Sequence, residues 1–120
     1  MKKIYKFALV LLSTVGLILG TTSTSFSKVE GDKIILGAAV SLTGKYSTNG
    51  KHTQNGYNLA VKRINQMGGV KVGGKSYKFN IIYYDDESNS GRAAQLAERL
   101  IKQDGVKFML GPYSSGLTKA

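Results

Sequence analysis

The chain has 120 residues, with 17 lysines and arginines against 7 aspartates and glutamates, one histidine and no cysteine, for a formal charge of +10. That length holds one small domain, and the lack of cysteine excludes a disulfide framework, a thiolate metal site and a lipid anchor on an N-terminal cysteine. The basic excess does not read as a nucleic-acid footprint, which clusters charge on one face; after residue 28 the bases stand apart, Lys62-Arg63 being the one adjacent pair.

In chain order, Lys2, Lys3 and Lys6 precede an apolar stretch over residues 7–20, and a Ser/Thr-rich tract ends in Ser25-Phe26-Ser27. A basic head, an apolar middle and small residues at the cleavage positions predict a secretory signal over residues 1–27, cut after Ser27. The apolar stretch is shorter than the roughly 20 residues of a spanning helix. Residues 28–120 are then expected as a soluble periplasmic product.

Residues 33–41, KIILGAAVS, are almost continuously apolar, as in a parallel strand buried on both faces. A polar loop, residues 42–50, comes next. From about residue 53 to 67, Tyr57, Ala60, Val61, Ile64 and Met67 recur at helical spacing, and Gly68-Gly69 supplies the stop. Leu59 falls off that stripe. The paired glycines of Val72-Gly73-Gly74-Lys75 predict a two-residue hairpin turn.

Residues 77–85, YKFNIIYYD, read as a second strand, whose alternating first half suggests a position nearer the sheet edge. Ser88, Asn89 and Ser90 can cap a helix running to about Gln103. Ala93, Leu96, Ala97, Leu100 and Ile101 would face inward, with Glu98 and Lys102 paired on the outside. Residues 106–110, VKFML, give a short third strand, residues 111–116 a turn, and residues 117–120 the beginning of a helix.

The alternation predicts an α/β fold with a Rossmann-like, three-layer parallel sheet and right-handed crossovers. The apolar first and third strands are expected as neighbours, giving the order 2-1-3. Winding then reverses between them, and ligands of such sheets bind beside that reversal, at the carboxyl ends of the strands. The two loops meeting there would be residues 42–50 and 111–116.

Neither loop carries a nucleotide-binding fingerprint. Five residues separate Gly44 from Gly50 where a P-loop has four, His52 stands where its hydroxyl should be, and no G-x-G-x-x-G follows the first strand. Asp85, at the place of a ribose-binding acid, lacks those glycines. Asp85, Asp86 and Glu87 do not have calcium-loop spacing. His52 has no nucleophile or acid arranged with it, so catalysis is not expected. Ser114 and Ser115, by contrast, stand at a helix start, where free amides and partial positive charge suit a carboxylate. Their hydroxyls could equally serve only to cap the helix.

These residues resemble a known family. Ile34 to Val40 followed by Leu42-Thr43-Gly44, then Asn55-Gly56, Ile64-Asn65, Gly68-Gly69, Tyr84-Asp85-Asp86 and Leu110-Gly111-Pro112 with Ser114-Ser115 are similar, in order and spacing, to the N-terminal part of solute-binding proteins of branched-chain amino acid ABC transporters. The resemblance implies a leucine-binding-protein-like, type I periplasmic binding fold, with residues 28–120 as the first part of one ligand-binding lobe. It implies a non-catalytic protein without cofactor or metal, which delivers an amino acid or related small solute to a membrane permease driven by ATPase subunits. By the same likeness, Ser115 would hold a ligand carboxylate, Tyr113 and Ser114 would border its side chain, and Asn49 would lie at the cleft.

Some positions depart from the family pattern. Serines stand at 88 and 114 where well-known leucine-binding members carry a disulfide, Asn49 replaces an aromatic residue and Tyr113 an aliphatic one. The pocket floor is therefore more polar, which opens it to a polar amino acid, an amide or a urea-like solute. Alternative readings are a receptor ectodomain on the same fold and a Rossmann-like nucleotide domain of an enzyme.

Overall fold

The computed structural model describes residues 29–120; the expected export signal over residues 1–27 and its cleavage point lie outside them. Strand β1 (Val29–Glu30) turns back on β2 (Lys33–Val40), pairing antiparallel through Val29↔Ile34 and Glu30↔Lys33. Helix α1 (Ser47–Gln66) crosses to a hairpin of β3 (Val70–Val72) and β4 (Lys75–Asp85), and β4 lies parallel to β2 from Lys33↔Lys78 to Val40↔Asp85. Helix α2 (Ser90–Lys102) leads to β5 (Phe108–Leu110), parallel to the other edge of β2, and α3 (Ser115–Thr118) follows.

The parallel core thus has the expected order, with β2 between β4 and β5, the second and third strands of the sequence reading. The short antiparallel β1 and β3 make the sheet mixed rather than purely parallel. Residues of alternating parity choose the layer. Ile35 packs with Leu100 and Val106, with Ile82 and Tyr84 against them, on the α2 face. On the opposite face the Tyr83 hydroxyl donates to Asn58 of α1 at 2.9 Å. One helix therefore covers each side, and Ala38 and Val40, both fully buried, anchor the centre.

Several local expectations are corrected. α1 begins at Ser47, not near residue 53, so Asn49 and Gly50 belong to its first turn. The glycine that read as loop punctuation is a point of close approach: a Cβ on Gly50 would overlap the Ser41 carbonyl oxygen. Within the expected stripe, Tyr57, Val61 and Ile64 are half-buried but Ala60 and Met67 are exposed, while Gly50 is buried and Thr53, Gln54 and Asn65 are half-buried. Leu59, off the stripe, is exposed too.

β4 starts two residues earlier than expected, since Lys75 to Tyr77 pair with β3 across the Gly73-Gly74 turn, where both glycines hold positive φ. β5 is shorter than expected and half-exposed at Phe108; the buried apolar residue there is Val106, whose N–H is held by the Leu100 carbonyl before the strand begins. The order follows from β5 pairing with β2, not from equal burial of the two strands. Ile101 is exposed rather than inward, leaving Ala93, Leu96 and Leu100 as the buried face of α2.

Asn65 seals part of the outer edge of β4. Its amide donates to the Phe79 carbonyl and accepts from the Phe79 N–H, each at 2.8 Å, standing in for a strand just beyond β3. Covering unpaired edge groups in this way blocks pairing with other chains.

Candidate ligand-binding site at the carboxyl ends of the strands

Where β2 and β4 end, the chain builds a rigid rim from acids that follow the strands. Asp85 Oδ1 accepts the N–H groups of Leu42, Thr43 and Glu87, and its Oδ2 accepts the Thr43 hydroxyl at 2.7 Å. Burial disfavours its charge, but the hydrogen bonds from Thr43, Glu87 and Leu42 outweigh that and hold the carboxyl below its ordinary value. Asp86 accepts the Ser41 hydroxyl at 2.6 Å and the Ser88 N–H at 2.8 Å. Both acids are thereby committed to holding the two loops.

Ser88 completes the clamp. Its hydroxyl donates to the Thr43 carbonyl at 2.7 Å and accepts the Tyr46 N–H at 3.0 Å. Glu87 and Ser88 both sit at positive φ, 54° and 60°, a strained region for residues with side chains. The four hydrogen bonds that Glu87 and Ser88 make, with Asp85, Asp86, Thr43 and Tyr46, offset that strain. Gly44 lets the loops come this close, since a Cβ there would press on the Glu87 carbonyl and the Ser88 hydroxyl.

The turn after β5 lies against this rim. Asn49, on the first turn of α1, donates through Nδ2 to the Tyr113 hydroxyl at 2.7 Å. The Tyr46 and Tyr113 rings stand 5.8 Å apart at 55°, with the Lys45 ammonium 4.7 Å from the centre of the Tyr46 ring. Tyr57 donates to the Gly111 carbonyl at 2.9 Å, tying the middle of α1 to the exit of β5. Burial raises the Tyr57 phenol above its ordinary value, so it remains a neutral donor.

Of the four residues expected at the site, the fold therefore brings Asn49 and Tyr113 into direct contact. Ser114 caps α3, its hydroxyl accepting the Leu117 N–H at 3.2 Å. Ser115 is exposed as the first residue of that helix. Ser88 and Ser114 spend their hydroxyls on separate partners. The sequence reading missed Tyr46, Tyr57 and Ser88. Tyr57 was assigned to the apolar stripe, although a phenol at a helix–loop contact usually finds an acceptor; Ser88 was read only as a possible cap.

Residues 33–120 match the family model described as periplasmic binding protein. A Leu/Ile/Val-binding protein homologue from Brucella abortus is 31% identical over 85 residues, covering 71% of this chain and 22% of the relative. The branched-chain amino acid transporter substrate-binding protein LivJ from Streptococcus pneumoniae, solved with isoleucine, superposes with a TM-score of 0.64 at 31% identity, over 72% of this chain and 24% of that one. A solute-binding protein of an ABC transporter from Rhodopseudomonas palustris, solved with 3,4-dihydroxybenzoic acid, gives 0.51 at 31% identity over 65% and 20%. The chain thus spans about a fifth to a quarter of the length of these proteins.

Proposed function

The chain belongs to the periplasmic binding protein family, and on that premise we propose that it contributes the first part of one ligand-binding lobe of the solute-capturing component of an ABC importer. The family consists of solute-binding proteins rather than enzymes. The solute is an amino acid or a related small molecule. Export through the leader at residues 1–27 delivers the protein to the periplasm, where the closed form passes its solute to a membrane permease powered by ATPase subunits.

The observation that carries this reading is the Asn49–Tyr113 hydrogen bond, which joins the two turns at the reversal of strand order. A ligand carboxylate would rest on the Ser115 hydroxyl and amide at the start of α3, with Ser114 holding the turn and Tyr113 and Asn49 along the ligand's side chain. Such contacts are complete only when a facing lobe closes, so binding shifts an open–closed equilibrium toward the closed form.

Calorimetry of the full-length protein against single L-amino acids tests this. Micromolar binding of at least one is expected, and Ser115→Ala should weaken it by about 1–3 kcal/mol through loss of a charged contact. Residues 28–120 alone should bind none of them tightly. An unchanged affinity in Ser115→Ala removes that serine from the site.

A further inference from the structure

We infer that the cleft selects a solute ending in a carboxamide, such as a glutamine- or asparagine-type side chain, rather than a branched aliphatic one. The inference rests on the solute-binding reading above and names the substrate class of that same site.

The argument is a count of donors and acceptors. The Asn49 side chain has a carbonyl oxygen and an NH2 group, and the Tyr113 hydroxyl has one O–H and two lone pairs. Their 2.7 Å bond uses one N–H and one lone pair. The Tyr113 O–H and the Asn49 Oδ1 keep their capacity, so the linked pair offers a donor and an acceptor side by side. Reversing the Asn49 amide preserves the pattern, because the NH2 then donates outward and the phenol oxygen accepts.

A primary amide answers both at once, carrying an acceptor oxygen and a donor nitrogen on one carbon. A carboxylate satisfies only the donor and an ammonium only the acceptor. An aliphatic side chain sealed against the pair satisfies neither. Sites built to hydrogen-bond a ligand reject analogues that leave such groups unpaired far more strongly than apolar pockets reject an extra methylene.

The pair is also held in place. The Tyr46 ring packs 5.8 Å from the Tyr113 ring, and Asn49 is fixed on a helix rather than on a free loop. Tyr113 is 42% exposed, so the linked pair lies at the surface of the rim rather than in the core.

The test is calorimetry of the full-length protein with L-glutamine, L-asparagine, L-glutamate, L-methionine and L-leucine. One of the two amides should bind at least about tenfold more tightly than methionine or leucine, the equivalent of one or two hydrogen bonds. Tyr113→Phe and Asn49→Leu should each erase most of that preference while methionine binding holds or improves. Leucine or methionine binding as well as the amides overturns the inference and leaves the solute-binding reading standing. A preference unmoved by both substitutions overturns the assignment to this pair. Absence of binding to all five overturns the inference, while the solute-binding reading is decided separately by the full series of L-amino acids described above.

Discussion

Ser41 and Asp86 meet in a fully buried hydrogen bond of 2.6 Å that ties the residue after β2 to the residue after β4. Neighbouring parallel strands are thus joined by side chains at the point where their ladder ends. The second Asp86 oxygen is buried without a hydrogen-bond partner among the described residues, so the carboxylate depends on Ser41 and Ser88.

Replacing Asp86 by Ala leaves the Ser41 hydroxyl and the Ser88 N–H buried without their acceptor. A loss of about 2–4 kcal/mol in urea unfolding is expected, since each stranded donor carries its desolvation cost. Asp86→Asn, which keeps an acceptor oxygen, should lose less. Equal stability of Asp86→Ala and the unaltered protein would show that the clamp contributes nothing.

Two glycines of α1 should respond in opposite directions. Gly50→Ala drives a methyl into the Ser41 carbonyl, so the helix must shift off the sheet at a cost of about 3 kcal/mol. Gly56, in the same helix, has open space where its Cβ would be, and Gly56→Ala should raise stability by about 0.5–1 kcal/mol. Thermal unfolding of the two variants side by side checks the pair.

Acid should release the first rim loop through Asp85. Its folded pKa lies below the ordinary value, so the protonated side chain is the form the fold disfavours. The stability it adds is fully present above the unfolded pKa of about 3.9 and is lost as pH falls through the lower folded value. Asp85→Asn should therefore flatten the stability–pH curve below about pH 4. A curve of unchanged steepness in that range contradicts the assignment.

Asn65→Ala opens both backbone groups of Phe79 to solvent on the outer edge of β4. A loss of about 1–2 kcal/mol is expected from the two hydrogen bonds. Greater concentration-dependent light scattering should accompany it, because an unprotected edge recruits other strands. Asn65→Asp retains one acceptor and should fall between.

The alternation of parallel strands with helices and the layer arrangement could be read from apolar runs and helical spacing, whereas the place of β5 beside β2 was expected from a burial that β5 does not have. Helix α1's start was not legible, because its first turn lacks a side-chain cap and holds a glycine. That glycine is explained by a contact with Ser41, nine positions away, which local patterns do not encode. Asn49 and Tyr113 could be named in advance but not paired, since their bond spans 64 positions and depends on β5 adding to the correct edge of β2. Ser88 was legible only as a possible helix cap. Its grip on Thr43 and Tyr46 needs two loops to be folded at once.

Placing Asn49 on a 20-residue helix has a mechanical result. A guest touching that amide pushes against a stiff rod braced by Tyr57 and Tyr83 along its length, not against a pliable flap. Little motional freedom is left there to surrender on capture, and little give is available to suit a misfit. In the proposed closure this side would serve as an anvil, with any adjustment to the shape of the cargo coming from whatever closes over it.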